Sequence, residues 1–542
     1  MGEHTMRVGV YQMRRQRRPA MTPKQPLPGS THPWSILVTA ALLCLAALWN
    51  GQPFFYPDTP TYLRGAEMGV TKVVGSGRLK PWLPAQSTQP VAATTPAADA
   101  PKAVTPAKSL TSVDDKIVLA GRSVYYGALL YASYLAGSMW LTVAVQALCV
   151  AYLLHLLMVR RWGLRPLHLL GTVAALGLVT PLAVYTGLLM PDVFAGLGIL
   201  SAGTLAVYWN RLGRADRAAL TAMLLFGLTA HASHVAVMAL MLLVGLAARR
   251  FSARWRHLSG AAFLVVAACM VGAVGAEWAF GKAVTKAVGS PPLRLPHPMA
   301  RLIDMGPGTD YLRQNCPQAG FAACAFLQNY PTAWDDFLFS TDPHKGVFAL
   351  ADAATKRQLS QEQMSFVVEV VRHDPLGVVR GVGSEVVRQF GQFGMDVWGY
   401  GPRELAMYAG RIPDAMFARM QASRAAGTDV YARWFTLAAY ASTVASLVLA
   451  AWLLRRHRDG HRAVDPAPDG FIDMAWIGLA GVAANAVICA TLASSLDRFQ
   501  ARVIWIVPFL AFSAFALLLS HRRAAASAAV ASTNAPLQGS AS

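Results

Sequence analysis

The chain has 542 residues, of which 54% are hydrophobic and only 14% are charged, and this balance excludes an ordinary soluble protein. Apolar stretches of about twenty residues, the length that crosses a bilayer, recur along it and predict a polytopic membrane protein. The net charge of +20 would suit a nucleic-acid-binding protein, but much of the Lys and Arg stands in short clusters between apolar segments. Such clusters are the topology signal of membrane proteins, so the expected partner is the lipid bilayer and not nucleic acid.

The first 33 residues form a basic tail that is expected to stay in the cytoplasm. Four arginines among residues 14–18 precede a Pro-rich spacer, and the apolar run at 34–49 has no small-residue cleavage site directly after it. These features predict an uncleaved membrane anchor and not a signal peptide.

Ten apolar segments are candidate membrane spans, with edges uncertain by a few residues. They lie at about 34–50, 138–158, 168–189, 193–209, 218–231, 233–248, 258–280, 433–454, 471–494 and 501–520. With ten crossings, the arginine clusters near residues 14, 160, 214, 250, 456 and 522 all fall on one side of the membrane. The positive-inside rule then predicts an all-α protein of a bacterial-type inner (plasma) membrane, with both termini, including the tail at 521–542, in the cytoplasm.

The segment at 218–248 is the test of this topology. As one helix it would be far longer than a bilayer is thick and would place one arginine cluster outside. As two helices of roughly 14 residues, about 21 Å each, it keeps both clusters inside, with a turn at 229–234. We therefore expect two short helices here.

Two large loops are expected on the non-cytoplasmic face, inserted between the transmembrane parts at 34–280 and 433–520. The loop at 51–137 contains a stretch rich in Pro, Ala and Thr at 84–112, which is expected to be disordered. The loop at 281–432 is long enough for a mostly helical periplasmic domain. Cys316 and Cys324 lie eight residues apart in it and would form a disulfide in an oxidising compartment, with free thiols as the open alternative.

Ionisable residues from distant parts of the chain gather at the non-cytoplasmic face in this topology. They are Asp58, Asp192, His231, His234 and the pair Asp497–Arg498. Each has a local structural alternative. Asp58 could form an Asx-turn and Asp192 a helix N-cap. The two histidines could hydrogen-bond to neighbouring backbone, and Asp497–Arg498 could be a surface ion pair. Ionisable groups at membrane depth are costly and usually mark function, so their convergence favours a site.

Four short motifs resemble segments of the GT-C glycosyltransferases, including the bacterial branch that is similar to protein mannosyltransferases and lipid A aminoarabinose transferases. The motifs are Tyr56-Pro57-Asp58 with Tyr62 and Ala66-Glu67-Met68; Arg122-Ser123-Val124-Tyr125-Tyr126 with Gln146; Met190-Pro191-Asp192-Val193; and Asp497-Arg498-Phe499 with Pro508. The motif at Asp58 resembles the family's first-loop motif, and the segment at Arg122 with Gln146 resembles its Arg-x-Pro-x-Tyr segment with the glutamine of the next helix. The motif at Asp192 resembles the family's second acidic turn. The motif at Arg498 with Pro508 resembles the Arg-Tyr…Pro of its late helices. The resemblance covers residues 34–250 and 470–520.

The resemblance implies a GT-C-like fold and an enzyme that moves a sugar from a polyprenyl-phosphate donor to an envelope lipid, glycan or protein. Asp58 would be the catalytic base, and Asp192 would support it or hold a cation. The implied substrate-binding residues are Arg122, Arg498 and Arg502 for the lipid phosphate, His231 or His234 for the phosphate or acceptor, and Tyr56, Tyr62, Glu67 and Tyr126 around them. A divalent cation bound by Asp58, Asp192 and His231 stays an open alternative.

Two other classes of function remain open. A transporter or flippase of an envelope lipid or glycan would also carry ionisable residues in the membrane, but near its midplane and in two related halves. A membrane acyltransferase would use His231 or His234 as its base and would leave Asp58 without a role.

Overall fold

A computed structural model describes residues 33–75, 79–83, 117–395, 399–426, 430–458 and 468–533. Residues 1–32 of the predicted basic tail, the 84–112 stretch and the chain after residue 533 lie outside these residues. Within the described ranges the fold is helical, and the extended backbone forms isolated bridges but no strand. The structure is therefore that of an all-helical protein, as the hydropathy pattern predicts.

Twenty-one α-helices follow one another along the described chain. They are α1 Pro33–Asn50, α2 Thr59–Val74, α3 Val124–Leu135, α4 Trp140–His155, α5 Pro166–Val179, α6 Leu182–Gly187, α7 Val193–Tyr208, α8 Arg214–Ala230, α9 Ala232–Phe251, α10 Gly260–Val288, α11 His297–Asp304, α12 Pro307–Asn315, α13 Trp334–Phe339, α14 Ala353–His373, α15 Pro375–Gly391, α16 Pro402–Ala406, α17 Asp414–Gln421, α18 Val430–Arg458, α19 Phe471–Leu492, α20 Asp497–Ile504 and α21 Ile506–Thr533. A π-helical turn, Leu156–Arg161, extends α4.

Eight helical segments of the described chain are long and apolar enough to cross a membrane. They are Pro33–Asn50, Trp140–Arg161, Val193–Arg211, Ala232–Phe251, Gly260–Val288, Ala432–Leu453, Phe471–Leu492 and Asp497–His521. This supports a polytopic membrane protein, whereas the count of ten spans stays a prediction. The two remaining predicted spans correspond to α5, which is apolar but short, and α8, which begins with charged residues.

The predicted span at 168–189 is wrong as a single helix. α5 ends at Val179, Thr180 is extended, and α6 begins after Pro181. Proline has no N–H for the helical hydrogen bond and disfavours a helical residue before it, so the helix stops there. Hydropathy alone misses this break because the residues on both sides are apolar.

The break predicted inside 218–248 is confirmed. His231 is extended (φ −156°, ψ 130°) between α8, of 17 residues, and α9, of 20 residues. Both helices are longer than the predicted 14 residues because charged residues at their far ends are also helical. One of these, Asp216, accepts hydrogen bonds from Arg160 Nη1 at 2.6 Å and from the Tyr152 hydroxyl at 2.7 Å.

The sidedness of this break gives a direct test of the topology. Ala232 is exposed at the break, and Ala253 is exposed in the turn after α9. In right-side-out vesicles, we expect Ala232→Cys to react with a membrane-impermeant maleimide and Ala253→Cys to react only after permeabilisation. The parent chain sets the background from its native cysteines. Labelling of Ala232→Cys that requires permeabilisation would refute the predicted sidedness.

A second hydrophobic core lies in the large loop, among residues between Leu293 and Val370 that belong mainly to α11–α14. We call residues 289–395 the α11–α15 domain. Helix α10 continues to Val288, past residue 281, and the periplasmic domain at 281–432 stays a prediction. Cys316 and Cys324 are joined by a disulfide in the α11–α15 domain, one of the two states that the sequence left open.

Two of the contacts between the α11–α15 domain and the rest of the chain lie next to segments that carry candidate site residues. An isolated parallel bridge pairs Leu293 with Leu119, just before Arg122. Helix α15 packs along the membrane helix α19. The domain therefore contacts the segment before Arg122 and the helix before Arg498.

Candidate functional site

Backbone hydrogen bonds bring the first loop against the turn that precedes α7. Phe54 N donates to Gly187 O at 2.9 Å, and Leu189 N donates to Phe54 O at 2.9 Å. These bonds hold the two chain segments parallel, four residues before Asp58 and three residues before Asp192. Two carboxylates far apart in the sequence are thereby brought to one place.

Alternating positive and negative side chains, which we call the charged cluster, run from the surface into the protein. Arg122 Nη2 lies 2.7 Å from Asp58, and Arg498 Nη1 lies 3.6 Å from the same carboxylate. Arg498 also binds Asp192 through two nitrogens at 2.8 and 3.1 Å, and Arg502 Nη1 lies 3.8 Å from Asp192. Three guanidinium groups against two carboxylates leave one excess positive charge, which suits an anionic ligand.

Exposure falls steeply along the charged cluster. The side chains of Asp58 and Arg122 are 25% and 26% exposed, Arg498 is 7% exposed, and Asp192 and Arg502 are fully buried. The Asp58–Arg122 pair is therefore the exposed part of the charged cluster. The inner three residues form a buried ion-pair group that acts on the outer pair through its charge.

Within the described ranges, the side chains of Asp58 and Asp192 do not make the local hydrogen bonds of an Asx-turn or a helix N-cap. Asp58 and Asp192 stand at the N-caps of α2 and α7, yet neither side chain makes a capping hydrogen bond to a described residue. Their carboxylates face arginines instead. The tertiary ion pairs thus replace the capping role that the local sequence would favour.

Asp497 and Arg498 do not form the surface ion pair that was the alternative for them. Asp497 Oδ1 accepts a hydrogen bond from Gly394 N at 2.6 Å, whereas Arg498 turns inward to Asp192. The guanidinium of Arg498 also lies over the ring of Tyr56, 4.1 Å from its centroid. Asp497 therefore binds the end of the α11–α15 domain, whereas Arg498 belongs to the charged cluster.

The two histidines form local hydrogen bonds, as the structural alternative for them expects, and His231 is also linked to the charged cluster. His231 Nδ1 hydrogen-bonds with Ser233 N at 3.2 Å and with Ser233 Oγ at 2.8 Å, and His234 Nδ1 hydrogen-bonds with Gly227 O at 2.7 Å. The same Ser233 hydroxyl accepts a hydrogen bond from Arg502 Nη2 at 3.1 Å. His231 is thereby connected to the buried end of the charged cluster, and not to its open end.

The predicted tyrosines pack beside the open end of the cluster. The rings of Tyr62 and Tyr126 meet edge to face at 5.5 Å, and the Tyr126 hydroxyl donates to Gln146 Oε1 at 2.9 Å. Gln146 Nε2 donates in turn to the carbonyls of Thr186 and Leu188, in the turn that leads to Asp192. The motif residues therefore support the backbone that carries the carboxylate.

Glu67 is separate from the other predicted site residues. Its Oε1 accepts a hydrogen bond from Trp82 N at 2.6 Å, and its charge acts on Tyr131 and Tyr134. It lies more than two helical turns beyond Asp58 on α2. The structure gives it a local role in holding the chain at residue 82, away from the charged cluster.

Three residues at the site carry no local signal in the sequence. Arg411 Nη2 donates to Pro57 O at 3.1 Å, beside Asp58. Asn485 Oδ1 accepts from Arg502 Nη2 at 2.9 Å. His297 lies within the electrostatic reach of Arg122 and Asp58, and its Nδ1 is buried without a hydrogen bond to any described residue. Only the tertiary fold brings these groups to the cluster.

The ionisation of the outer groups follows from their neighbours. Burial raises the pKa of Asp58, but the charges of Arg122 and Arg498 outweigh this effect and leave the pKa below its ordinary value. Burial lowers the pKa of His297 to about 4, and the charge of Arg122 acts in the same direction. At neutral pH, Asp58 is therefore a carboxylate and His297 is a neutral imidazole.

The predicted divalent-cation ligands do not fit a metal site. Among the described residues, no three His, Cys, Asp or Glu side chains are grouped as metal ligands, so Asp58, Asp192 and His231 form no such set. Arg498 stands between the two carboxylates and contacts both of them. The positive charges next to the two carboxylates are those of guanidinium groups.

The fold and the site together are those of an all-helical protein with eight described helical segments long and apolar enough to span a membrane, and with a charged cluster that joins residues near the ends of several helices. No family model, curated protein or solved structure matches the chain. The assignment of a function therefore depends on the motifs and on the geometry of the charged cluster.

Proposed function

We propose that the chain is a membrane glycosyltransferase that moves a sugar from a polyprenyl-phosphate carrier to an envelope lipid, glycan or protein. The observation that best supports this proposal is the partly exposed Asp58 carboxylate, held between Arg122 and Arg498 in a cluster with one excess positive charge. A base beside a phosphate-binding cation is what this transfer needs. The GT-C-like motifs contribute four of the five residues of the cluster.

In the proposed reaction, Asp58 takes the proton of the acceptor hydroxyl as its oxygen attacks the anomeric carbon of the sugar. The bond between that carbon and the phosphate oxygen breaks, and the electron pair leaves with the polyprenyl phosphate. This direct displacement inverts the anomeric centre. Asp58 gains one proton, and the charge that develops on the leaving phosphate is stabilised by Arg122.

Arg122 is the proposed phosphate contact because it is the accessible arginine of the cluster. Its guanidinium holds Asp58 at 2.7 Å before a ligand binds. A donor phosphate competes for this guanidinium, and loss of the ion pair raises the pKa of Asp58 and makes it a stronger base. Binding of the donor would therefore activate the base.

Arg498 and Arg502 have an indirect part in this proposal, unlike the direct phosphate contact implied by the family resemblance. Both side chains are nearly or fully buried, and Asp192 faces both. Asp192 is therefore a positioning residue that keeps two positive charges behind Asp58. Their field favours a bound anion without touching it.

The proposal is tested with proteoliposomes that contain the full chain, a mixture of envelope lipids and a polyprenyl-phosphate sugar labelled in the sugar. We expect the label to leave the donor and to appear in an acceptor fraction, while unlabelled polyprenyl phosphate accumulates. Liposomes without the chain are the control. A donor that crosses the bilayer chemically intact would replace the proposal with a flippase, and a donor that neither reacts nor moves would reject both.

A further inference from the structure

The turn before Arg498 is held from outside the membrane helices by α15. The Gln389 side chain pairs with the backbone of Leu496 in both directions: Nε2 donates to Leu496 O at 2.9 Å, and Leu496 N donates to Oε1 at 2.9 Å. Gln389 is fully buried. One side chain thus satisfies both backbone groups of a residue that lies in no helix.

The residue before Leu496 is held by the same helix. Glu385 Oε2 accepts hydrogen bonds from the Ser495 hydroxyl at 2.7 Å and from Arg301 Nη2, on α11, at 2.6 Å. Arg388 pairs with the other oxygen of Glu385 and donates to Ser495 Oγ at 2.8 Å. Arg301 and Glu385 are buried, so their hydrogen bonds tie α11, α15 and the turn together away from water.

The residue after Leu496 is bound by the end of the same domain, since Gly394 N donates to Asp497 Oδ1 at 2.6 Å. Three consecutive residues, 495–497, are therefore fixed by the α11–α15 domain. Arg498 follows at once, and its carbonyl accepts a hydrogen bond from the Tyr185 hydroxyl at 2.9 Å. The backbone of Arg498 is held on both sides.

We propose that α15 is a clamp that positions Arg498 between Asp58 and Asp192. Gln389 is its main positioning residue, because its amide fixes the turn one residue away from α20. In this proposal the α11–α15 domain helps to position a residue of the charged cluster. None of the sequence motifs lies in this part of the chain. The effect on sugar transfer rests on the proposed function, whereas the effect on the turn does not.

The clamp is tested by the reactivity of a cysteine in the turn. Ser494 is 2% exposed, so Ser494→Cys is expected to react slowly with an impermeant maleimide in the otherwise native full chain. Adding Gln389→Leu keeps the side-chain volume but removes both hydrogen bonds to Leu496. We expect the labelling rate to rise by about tenfold, because the turn then opens more often.

A matched control is Gln363→Leu on α14. Gln363 is also buried in the α11–α15 domain, but its amide donates to Ser360 O within its own helix. It should leave the labelling rate of Ser494→Cys unchanged. If Gln389→Leu does not insert, Ser495→Ala replaces it, since this change removes the hydroxyl bound by Glu385 and Arg388 and is expected to raise labelling in the same way.

Sugar turnover separates the clamp from the proposed function. In the background without the Ser494 cysteine, Gln389→Leu is expected to lower turnover by about tenfold, since small displacements of a site lower rates steeply. Equal labelling rates for the Gln389 and Gln363 variants would overturn the clamp. Faster labelling with native turnover would overturn its positioning role. Faster labelling with no turnover in any chain, including the native one, would support the clamp and reject the proposed function.

Discussion

Asp58→Asn is expected to lower sugar turnover by about 10²–10⁴-fold, the usual contribution of a general base. Asparagine keeps the size of the side chain but cannot accept the acceptor proton. Because Asp58 and Arg122 are both partly exposed, the lost ion pair should cost little stability, so the variant should insert normally. The measurement is the release of polyprenyl phosphate from the labelled donor at equal amounts of inserted protein.

A control for this variant is Asp473→Asn. Asp473 is also partly exposed and pairs with an arginine, Arg254, at 3.4 Å, but it lies near the start of α19, at the face predicted as cytoplasmic. It should retain turnover near the native level. Native turnover by Asp58→Asn would remove the proposed base, and equal losses in both variants would trace the defect to folding and not to catalysis.

Asp192→Leu is expected to have the largest effect on stability. Asp192 is the buried counterion of Arg498 and lies 3.8 Å from Arg502, so its removal leaves Arg498 with only the more distant Asp58 and leaves the buried Arg502 without its carboxylate partner. Breaking a buried ion pair by removing one partner costs about 3–5 kcal/mol. We expect a clearly lower midpoint of thermal unfolding for the detergent-solubilised protein, together with lost turnover.

A double variant shows whether this loss comes from unpaired charge. Asp192→Leu with Arg498→Leu removes both partners and should recover part of the midpoint, since Arg502 keeps its hydrogen bond to Asn485 at 2.9 Å. Turnover should stay low because a positive charge behind Asp58 is gone. A single variant as stable as the native chain would show that Asp192 does not hold the buried arginines.

Together these variants divide the charged cluster into two parts. The outer pair, Asp58 and Arg122, is predicted to affect turnover with little change in stability, because both side chains are partly exposed. The inner group around Asp192 is predicted to affect both, because its charges are buried. This difference follows from exposure, which the order of residues in the sequence does not contain.

The sequence by itself predicted an all-helical membrane protein and the break inside 218–248, and eight of its ten predicted spans correspond to helices that are long and apolar enough to cross a bilayer. Hydropathy and arginine clusters are properties of short segments, and the energy of placing each segment in a bilayer depends mainly on that segment. The charge pattern also selected Asp58, Asp192 and Arg498 as residues at one membrane face. That was enough to locate a candidate site, but not to predict which of its side chains form ion pairs or hydrogen bonds with one another.

The tertiary structure alone decided which groups meet. It paired Arg498 with Asp192 and not with its neighbour Asp497, and it separated Glu67 from the cluster. It also brought in Asn485, Arg411, His297 and Gln389, whose partners lie from 17 to more than 300 residues away in the chain. Hydrogen bonds and ion pairs form over about 3 Å in space, and no local pattern specifies which distant segments approach that closely.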